Sequence, residues 1–195
     1  MSNRRREILD KASEMFSRWS YHKVSLEDIS SSLGIGKSTM YHYFRTKEEL
    51  FTEVIQENME KLLNHVYYSL DDTKPFATQL KNLVYLTLQF FSENRDVILL
   101  LVREKLDFVN ISTMKDEFEG KWKTYYDEFY NRFSSNLEKA KANGEVLPVD
   151  TTLLLANIFG TIIAVSLDYT LNHPEKDLKD IQEDCYRVIL KGIAV

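Results

Sequence analysis

The sequence predicts an all-α protein, and three observations carry that prediction. Apolar residues recur at helical spacing along most of the 195-residue chain, and alternation of apolar and polar residues is nowhere sustained. Six glycines and three prolines are few for a fold built from hairpins and tight turns. Hydrophobic residues make up 44% of the chain, which is enough for a buried core. We therefore expect nine helices, divided between domains at residues 1–47 and 48–195.

Capping residues mark the starts of the N-terminal helices. Ser25 precedes an apolar run and is followed three residues later by Asp28, which is the pattern of a capping box. Thr46 is placed in the same way before a later run. The four helices predicted here are Arg4–Ser20, Ser25–Gly34, Lys37–Phe44 and Lys47–Leu70.

Proline and glycine divide the remaining chain. Pro75 suits the first turn of a helix, Asn143-Gly144 is a left-handed helix stop, and Pro174 ends a connector. The five helices predicted here are Pro75–Phe91, Val97–Phe108, Thr113–Ala142, Thr151–Leu171 and Glu175–Ile193.

The eighth helix is apolar on every side. It carries no charge from Thr151 to Leu167, which raises the question of a membrane span. The run is short for a span, contains five polar residues and is closed by Asp150 and Asp168. We expect a buried helix in a protein without a membrane segment.

Helices two and three form a predicted helix-turn-helix. Leu33-Gly34-Ile35-Gly36 joins them, and Gly34 can take the positive φ of such a turn. The second helix of this motif fits the major groove of DNA, where polar side chains bond phosphates or base edges. The polar side of helix three carries Lys37, Ser38, Thr39, Tyr41 and His42.

The residues around this motif match a known pattern, with no gap, over about Ile8–Phe51. They are Phe16, Val24-Ser25, Ile29, Leu33-Gly34-Ile35, Tyr41, Tyr43-Phe44 and Lys47-Glu48-Glu49-Leu50. In these residues the chain resembles the DNA-binding domain of the TetR family of bacterial transcriptional regulators. The resemblance implies a three-helix helix-turn-helix domain followed by a helical domain for ligand binding and dimerisation.

The resemblance also implies roles for the matched residues. Ser25 would cap helix two where it meets a phosphate, and Tyr41 and Lys47 would position the DNA backbone. Ser38 would lie at a point of close approach. Lys37, Thr39 and His42 would read base edges. The chain departs from the family pattern at three positions: Ser20 and Gly36 replace a common glycine and a serine cap, and Tyr43 replaces a common histidine.

Two other functions were weighed against DNA binding. Gly36-Lys37-Ser38-Thr39 matches the end of a phosphate-binding loop, but Ser31 stands where that loop needs glycine and a helix precedes it instead of a strand. The four histidines share no helix face, and Cys185 has no partner at metal-ligand spacing. We expect no enzyme activity, metal or cofactor.

The predicted C-terminal domain offers candidates for ligand binding. Helix seven carries an aromatic stripe that either fills a core or lines an apolar cavity for an effector of unknown identity. Arg103 and Glu104 are candidate polar groups on an otherwise apolar helix six. The candidate pocket residues are Phe90, Phe91, Arg103, Trp122, Tyr125, Tyr126 and Phe129.

A homodimer is expected because one helix-turn-helix makes few base contacts, and two related by a two-fold axis read a pseudo-palindrome. Gly160 and Ala164 would let another helix approach closely. The candidate interface residues are Gly160, Ala164, Ile181, Val188 and Ile189.

The charge is divided between the predicted domains. Residues 1–47 hold nine Lys and Arg against five Asp and Glu, a net charge of +4, whereas residues 48–195 have a net charge of −9. A basic N-terminal domain suits double-stranded DNA. We predict a cytoplasmic repressor that binds an operator and releases it on binding a small, largely apolar effector. The alternative is a DNA-bound scaffold that recruits a protein and senses no metabolite.

Overall fold

The computed structural model describes the backbone of residues 3–103 and 121–195 and the side chains of residues 3–101 and 124–195. Within these ranges the chain forms nine α-helices and no strand, which confirms the predicted all-α class. The helices are α1 (Asn3–Trp19), α2 (Leu26–Ser32), α3 (Lys37–Tyr43), α4 (Lys47–Val66), α5 (Phe76–Glu93), α6 (Arg95–Arg103), α7 (Lys121–Ala142), α8 (Thr151–Asn172) and α9 (Gln182–Ile193).

The described residues fall into two compact units. The first unit contains residues 3–59 and 96–103, and the second contains residues 60–95 and 121–195. The domain boundary predicted after residue 47 coincides with the start of α4, whereas the units divide inside that helix. One continuous helix therefore contributes residues to both units.

The core of the first unit is built from the apolar faces of α1 to α4. Phe16 and Phe44 are fully buried, as are Ile8, Ile29 and Met40. Burial of this apolar surface is the main source of the unit's stability.

Trp19 does not belong to this core, although its position on the apolar face of the predicted first helix suggested so. Its side chain is 44% exposed, and the Arg18 guanidinium lies 5.0 Å from its ring. Trp19 is the last residue of α1, and the chain turns away at Ser20.

The turn between α2 and α3 closes with two backbone hydrogen bonds. Ile35 N donates to Ser30 O at 3.0 Å, and Gly34 N donates to Ser31 O at 3.1 Å. Together they form a Schellman motif, in which the residue after the C-cap is left-handed. Gly34 has φ of +63°, as the sequence predicted. Asn143-Gly144 ends α7 in the same way, with φ of +72° at Gly144.

Helix α5 is the centre of the second unit and packs against α7, α8 and α9. Leu80, Val84, Leu88 and Phe91 of α5 are fully buried. From α7, Phe133 joins this core and contacts Phe76 and Phe159, with ring centroids 5.6 Å apart in both cases.

Two predicted helix ends are wrong. Helix α4 stops at Val66 and continues as a 3-10 turn, Tyr67–Ser69. Helix α9 begins at Gln182 and not at Glu175, because Asp177 caps a 3-10 turn, Leu178–Ile181, by accepting from Lys179 N at 2.8 Å. The Ser92 hydroxyl also donates to Asp177, at 2.5 Å. The predicted end of α6 and start of α7 lie outside the described residues.

Helix α8 is long and apolar enough to cross a membrane by length and composition, a test that core helices of soluble proteins also pass. The prediction that α8 is covered on every side is wrong for the single chain. Its buried residues lie on one face: Leu154, Leu155, Ile158, Ile162 and Ser166. The opposite face is exposed and is described with the interface candidates below.

Candidate DNA-binding surface

Helix α3 is fixed by its apolar residues and presents its polar ones to solvent. Met40 is 1% exposed, and Phe44, just after the helix, is fully buried. Because these two residues face the core, the other side of the helix faces outward. Lys37, Ser38, Tyr41 and His42 are exposed, and Thr39 is half-buried. The predicted recognition side chains therefore share one surface.

The end of α3 is held to α1 and α4 by Arg5. Its guanidinium donates to Tyr43 O at 3.2 Å, lies 4.4 Å from the Phe44 ring centroid and pairs with Glu53 of α4. Burial raises the pKa of Glu53, and the Arg5 charge opposes that rise. These contacts fix the orientation of a helix only seven residues long.

Ser25 caps α2, as predicted. Its hydroxyl accepts from Asp28 N at 3.1 Å, while the Asp28 carboxylate accepts from Ser25 N at 2.9 Å, and this completes the capping box. The Ser25 hydroxyl also donates to the same carboxylate, at 2.6 Å. These hydrogen bonds from Ser25 lower the pKa of Asp28.

Glu27 contacts two of the predicted DNA-binding side chains. The Tyr41 hydroxyl donates to Glu27 Oε1 at 3.2 Å, and Lys37 Nζ lies 3.5 Å from the same oxygen. The pKa of Glu27 is lowered by its own backbone N–H, then by the Tyr41 hydroxyl and the Lys37 ammonium. A charged carboxylate therefore stands beside the cation and the phenol expected to meet DNA.

Lys47, at the start of α4, is turned toward the loop after α1. Its ammonium donates to Tyr21 O at 3.0 Å and lies 4.1 Å from the Tyr21 ring centroid. That ring packs on Phe51, with centroids 4.7 Å apart, and Phe51 contacts Phe16 at 5.2 Å. The side chain is half-buried, so its position is set by the aromatic cluster beneath it.

Ser20 has a backbone conformation that suits glycine. Its φ is +68° and its ψ is +156°, a region populated almost entirely by glycine. It is the one non-glycine residue with positive φ in the described parts of the chain. The departure from the family pattern noted in the sequence therefore coincides with backbone strain.

The predicted ligand residues of the second unit are placed differently from one another. Phe90, Phe91 and Phe129 are buried. Burial raises the pKa of Tyr126 to about 12, so this phenol stays neutral, and its ring stacks on Tyr130. Tyr125 is 43% exposed and does not belong to the buried aromatic group. The side chains of Arg103 and Trp122, and the whole of Glu104, lie outside the described residues.

The predicted interface residues divide in the same way. Gly160 and Ala164 lie on the exposed face of α8, and Val188 on α9 is 65% exposed. Ile181 is half-buried. Ile189 is 1% exposed and packs inside the chain's own core, so its inclusion in an interface is wrong. Periodicity marked Ile189 as apolar but could not tell which apolar face meets the core.

Neither competing chemistry has its structural setting in the described residues. Helix α2 stands where a phosphate-binding loop would need a strand. In the parts of the chain that the structure describes, His, Cys, Asp and Glu form no group that could hold a metal ion. Burial raises the pKa of the Cys185 thiol to about 11, which keeps it protonated and unreactive.

Sequence reasoning missed three polar residues. Glu27 read as an ordinary acidic residue in the first turn of a helix, where it favours the helix dipole. Its contact with α3 depends on how α2 and α3 cross, which spacing along the chain does not reveal. His65 and Ser69 were also missed, because nothing in the sequence marks a polar atom that is buried without a partner.

The N-terminal part of the chain matches a family model. Residues 8–54 match the model described as bacterial regulatory proteins of the tetR family. This range holds the helix-turn-helix, the capping box and the start of α4.

Known proteins resemble the chain over its whole length. An uncharacterised HTH-type transcriptional regulator of Bacillus subtilis, YhgD, is 21% identical and aligns over 98% of this chain and 97% of its own. The ketosteroid transcriptional regulator KstR2 of Mycobacterium tuberculosis has the same fold, with a TM-score of 0.78, 18% identity and coverage of 100% and 97%. FadR of Bacillus subtilis, solved with stearoyl-CoA, has a TM-score of 0.71, 18% identity and coverage of 96% and 98%.

Proposed function

Because the chain belongs to the TetR family and is a DNA-binding transcriptional regulator, we propose that it is a homodimeric repressor whose operator is released when a small apolar effector binds the second unit. The observation that carries this proposal is the single outward surface of α3, held in place by Arg5, Met40 and Phe44 within a basic segment. As a DNA-binding regulator it acts in the cytoplasm, without a membrane anchor.

The proposed DNA contacts are of two kinds. Lys37, Thr39 and His42 read base edges in the major groove, where lysine can donate to guanine and hydroxyls can donate or accept. Ser25, Tyr41 and Lys47 bind phosphates, which fix the register without carrying sequence information. Ser38 lies where the helix comes nearest to the DNA backbone.

The exposed face of α8 supports the proposed dimer. A helix whose outer face is apolar and small is a poor solvent-facing surface, and a second copy would bury it. On α9, Gly192 lies against this helix, since a Cβ built there would lie 4.0 Å from Asn157 Oδ1. The exposed residues of this face are Leu153, Ala156, Asn157, Gly160, Ala164 and Leu171, with Val188 and Gly192 of α9 beside them.

The buried aromatic residues of the second unit support an apolar effector. Phe90 and Phe129 come from different helices, and Tyr126 is neutral. Among similar folds, one regulator was solved with stearoyl-CoA and another is named for ketosteroids, both with large apolar parts. An effector that stabilises one arrangement of the two recognition helices shifts the population away from the DNA-binding one, and DNA then weakens effector binding reciprocally.

The DNA-binding part is tested with three variants and a control. An operator fragment is first selected from genomic DNA with the purified protein and then titrated by fluorescence anisotropy at several salt concentrations. Lys37→Ala and Thr39→Ala are expected to weaken or relax operator recognition. Lys47→Ala is expected to weaken binding to all DNA and reduce the log–log salt slope by about 0.9, the value for one phosphate contact.

The matched control is Lys176→Ala, which removes an exposed lysine from the second unit. It should leave operator affinity within about twofold, since rim charges far from the contact act weakly through screened solvent. Unchanged affinity in all three test variants would remove the helix-turn-helix assignment. Unchanged operator affinity in the presence of a bound effector would instead leave a DNA-bound scaffold as the function.

A further inference from the structure

Two buried polar atoms of the second unit have no hydrogen-bond partner among the described residues. They are Nε2 of His65 and Oγ of Ser69. Ser69 is 0% exposed, so bulk water does not reach its hydroxyl. Buried polar atoms in folded proteins are nearly always paired, and an exception calls for a bound molecule or a functional reason.

The other buried hydroxyls show how unusual Ser69 is. Ser166 donates to Ile162 O at 2.7 Å, and Thr87 donates to Leu83 O at 2.7 Å, both within their own helices. Ser17 and Ser30 likewise donate to carbonyl oxygens three residues earlier, at 2.8 and 2.9 Å. Ser69 lies in a 3-10 turn and makes no such bond.

The two atoms lie next to the buried aromatic residues. His65 is in the last turn of α4 and Ser69 is four residues further on. The His65 ring lies 5.8 Å from the Phe90 ring of α5, and α5 packs against the turn that holds Ser69. Between them, the Tyr67 hydroxyl donates to Glu128 of α7 at 3.3 Å, beside the buried Phe129.

The nearby residues of the same segment are apolar. Leu62, Leu63, Val66 and Leu70 are all at least nine-tenths buried. An apolar group placed against Nε2 and Oγ would leave both atoms unpaired at a cost in free energy. An oxygen atom would pair with both, because a hydroxyl and an imidazole nitrogen can each donate or accept according to the partner.

We propose that His65 Nε2 and Ser69 Oγ are the polar anchor of the effector site and bind an oxygen-bearing end group of an otherwise apolar molecule. The inference rests on the proposed function, since it specifies the chemistry of the effector that the second unit takes. A hydroxyl, a carboxylate and a carbonyl share this chemistry, and a hydrocarbon lacks it. Discrimination against the analogue without the oxygen is strong when polar atoms are left unpaired.

This assignment predicts opposite effects of one substitution on stability and on binding. In the empty protein the unpaired atoms lower stability, so replacing the Ser69 hydroxyl by hydrogen removes a cost. In the complex the same replacement removes a hydrogen bond to the effector. A purely structural residue would lower stability when changed and leave ligand preference alone.

The first experiment measures thermal unfolding of the full chain without added ligand. Ser69→Ala is expected to raise Tm by about 2–4 °C, the shift that follows from removing one unpaired buried group in a chain of this size. His65→Phe, which keeps a ring of similar size, is expected not to lower Tm. The matched control is Ser166→Ala, which removes a paired buried hydroxyl and is expected to lower Tm. A fall in Tm for Ser69→Ala equal to that of Ser166→Ala would overturn the anchor.

The second experiment measures binding of decan-1-ol, decanoic acid and decane to the wild type and the same variants by titration calorimetry. The wild type is expected to bind the alcohol or the acid at least tenfold more tightly than decane, and Ser69→Ala and His65→Phe to lose that preference. Equal preference in wild type and variants would overturn the anchor while leaving an effector site. Absence of binding by any form would overturn both the anchor and the proposed effector, whereas operator binding would stand unaffected.

Discussion

Glu27 places a negative charge where the chain is proposed to meet a polyanion. Its carboxylate engages Lys37 and Tyr41 in the free protein, and these contacts must be exchanged for phosphate or base contacts on binding. The carboxylate thus lowers affinity for any DNA and leaves more of the binding energy to the bases that Lys37 reads.

We predict that Glu27→Gln tightens binding to non-specific DNA by about 2- to 10-fold and steepens the salt slope by about 0.9, because Lys37 becomes free to neutralise one more phosphate. The amide can still accept from Tyr41, so the change removes charge alone. Anisotropy titrations with a scrambled fragment measure it. Glu175→Gln removes the same charge from an exposed position in the second unit and should change nothing. Weaker or unchanged binding for Glu27→Gln would show that Glu27 supports the contact surface.

Ser20 is strained for a reason that a single substitution tests. Glycine adopts φ of +68° and ψ of +156° without steric cost, although it also gains freedom in the unfolded chain. Ser20→Gly is expected to stabilise the protein by about 1 kcal/mol, which raises Tm by about 2–4 °C. Ser20→Ala retains the Cβ and is expected to give no gain. Equal effects of the two substitutions in thermal unfolding would show that the backbone is not strained there.

At the scale of the helices, local chemistry accounts for most of what the sequence could predict. The starts of α2 and α4 follow from Ser25 and Thr46, whose hydroxyls accept from backbone N–H groups three residues later. The turn before α3 and the end of α7 follow from the positive φ of Gly34 and Gly144. Each of these signals acts within four residues, so it is legible in the sequence.

The elements that were mispredicted depend on contacts between distant parts of the chain. The late start of α9 follows from the Ser92–Asp177 hydrogen bond and from Arg95, which donates to Pro174 O at 2.7 Å. The clasp of Glu27 on α3 and the unpaired atoms of His65 and Ser69 depend on how helices pack. Periodicity identifies an apolar face, as it did for α8, but does not say whether the chain itself or a second copy covers it.

At the scale of the whole molecule, the uncovered face of α8 predicts the oligomeric state. Ala164→Glu places a charge at the centre of this face, where a dimer would have to bury it. We expect a folded monomer by analytical ultracentrifugation, with an unchanged helical circular dichroism spectrum and greatly weakened operator binding. Thr78→Glu places the same charge at an exposed position of α5 and should leave the dimer intact. A dimer that survives Ala164→Glu would place the interface elsewhere.

The central claim is that a pair of α3 helices reads DNA, and a footprint tests it most directly. The purified protein is bound to fragments selected from genomic DNA, and hydroxyl-radical protection is mapped on both strands. The account predicts two protected half-sites related by a two-fold axis, with centres about 10–10.5 base pairs or a multiple apart, and loss of protection with Lys37→Ala. Uniform protection without half-sites, or a footprint that Lys37→Ala leaves unchanged, would contradict it.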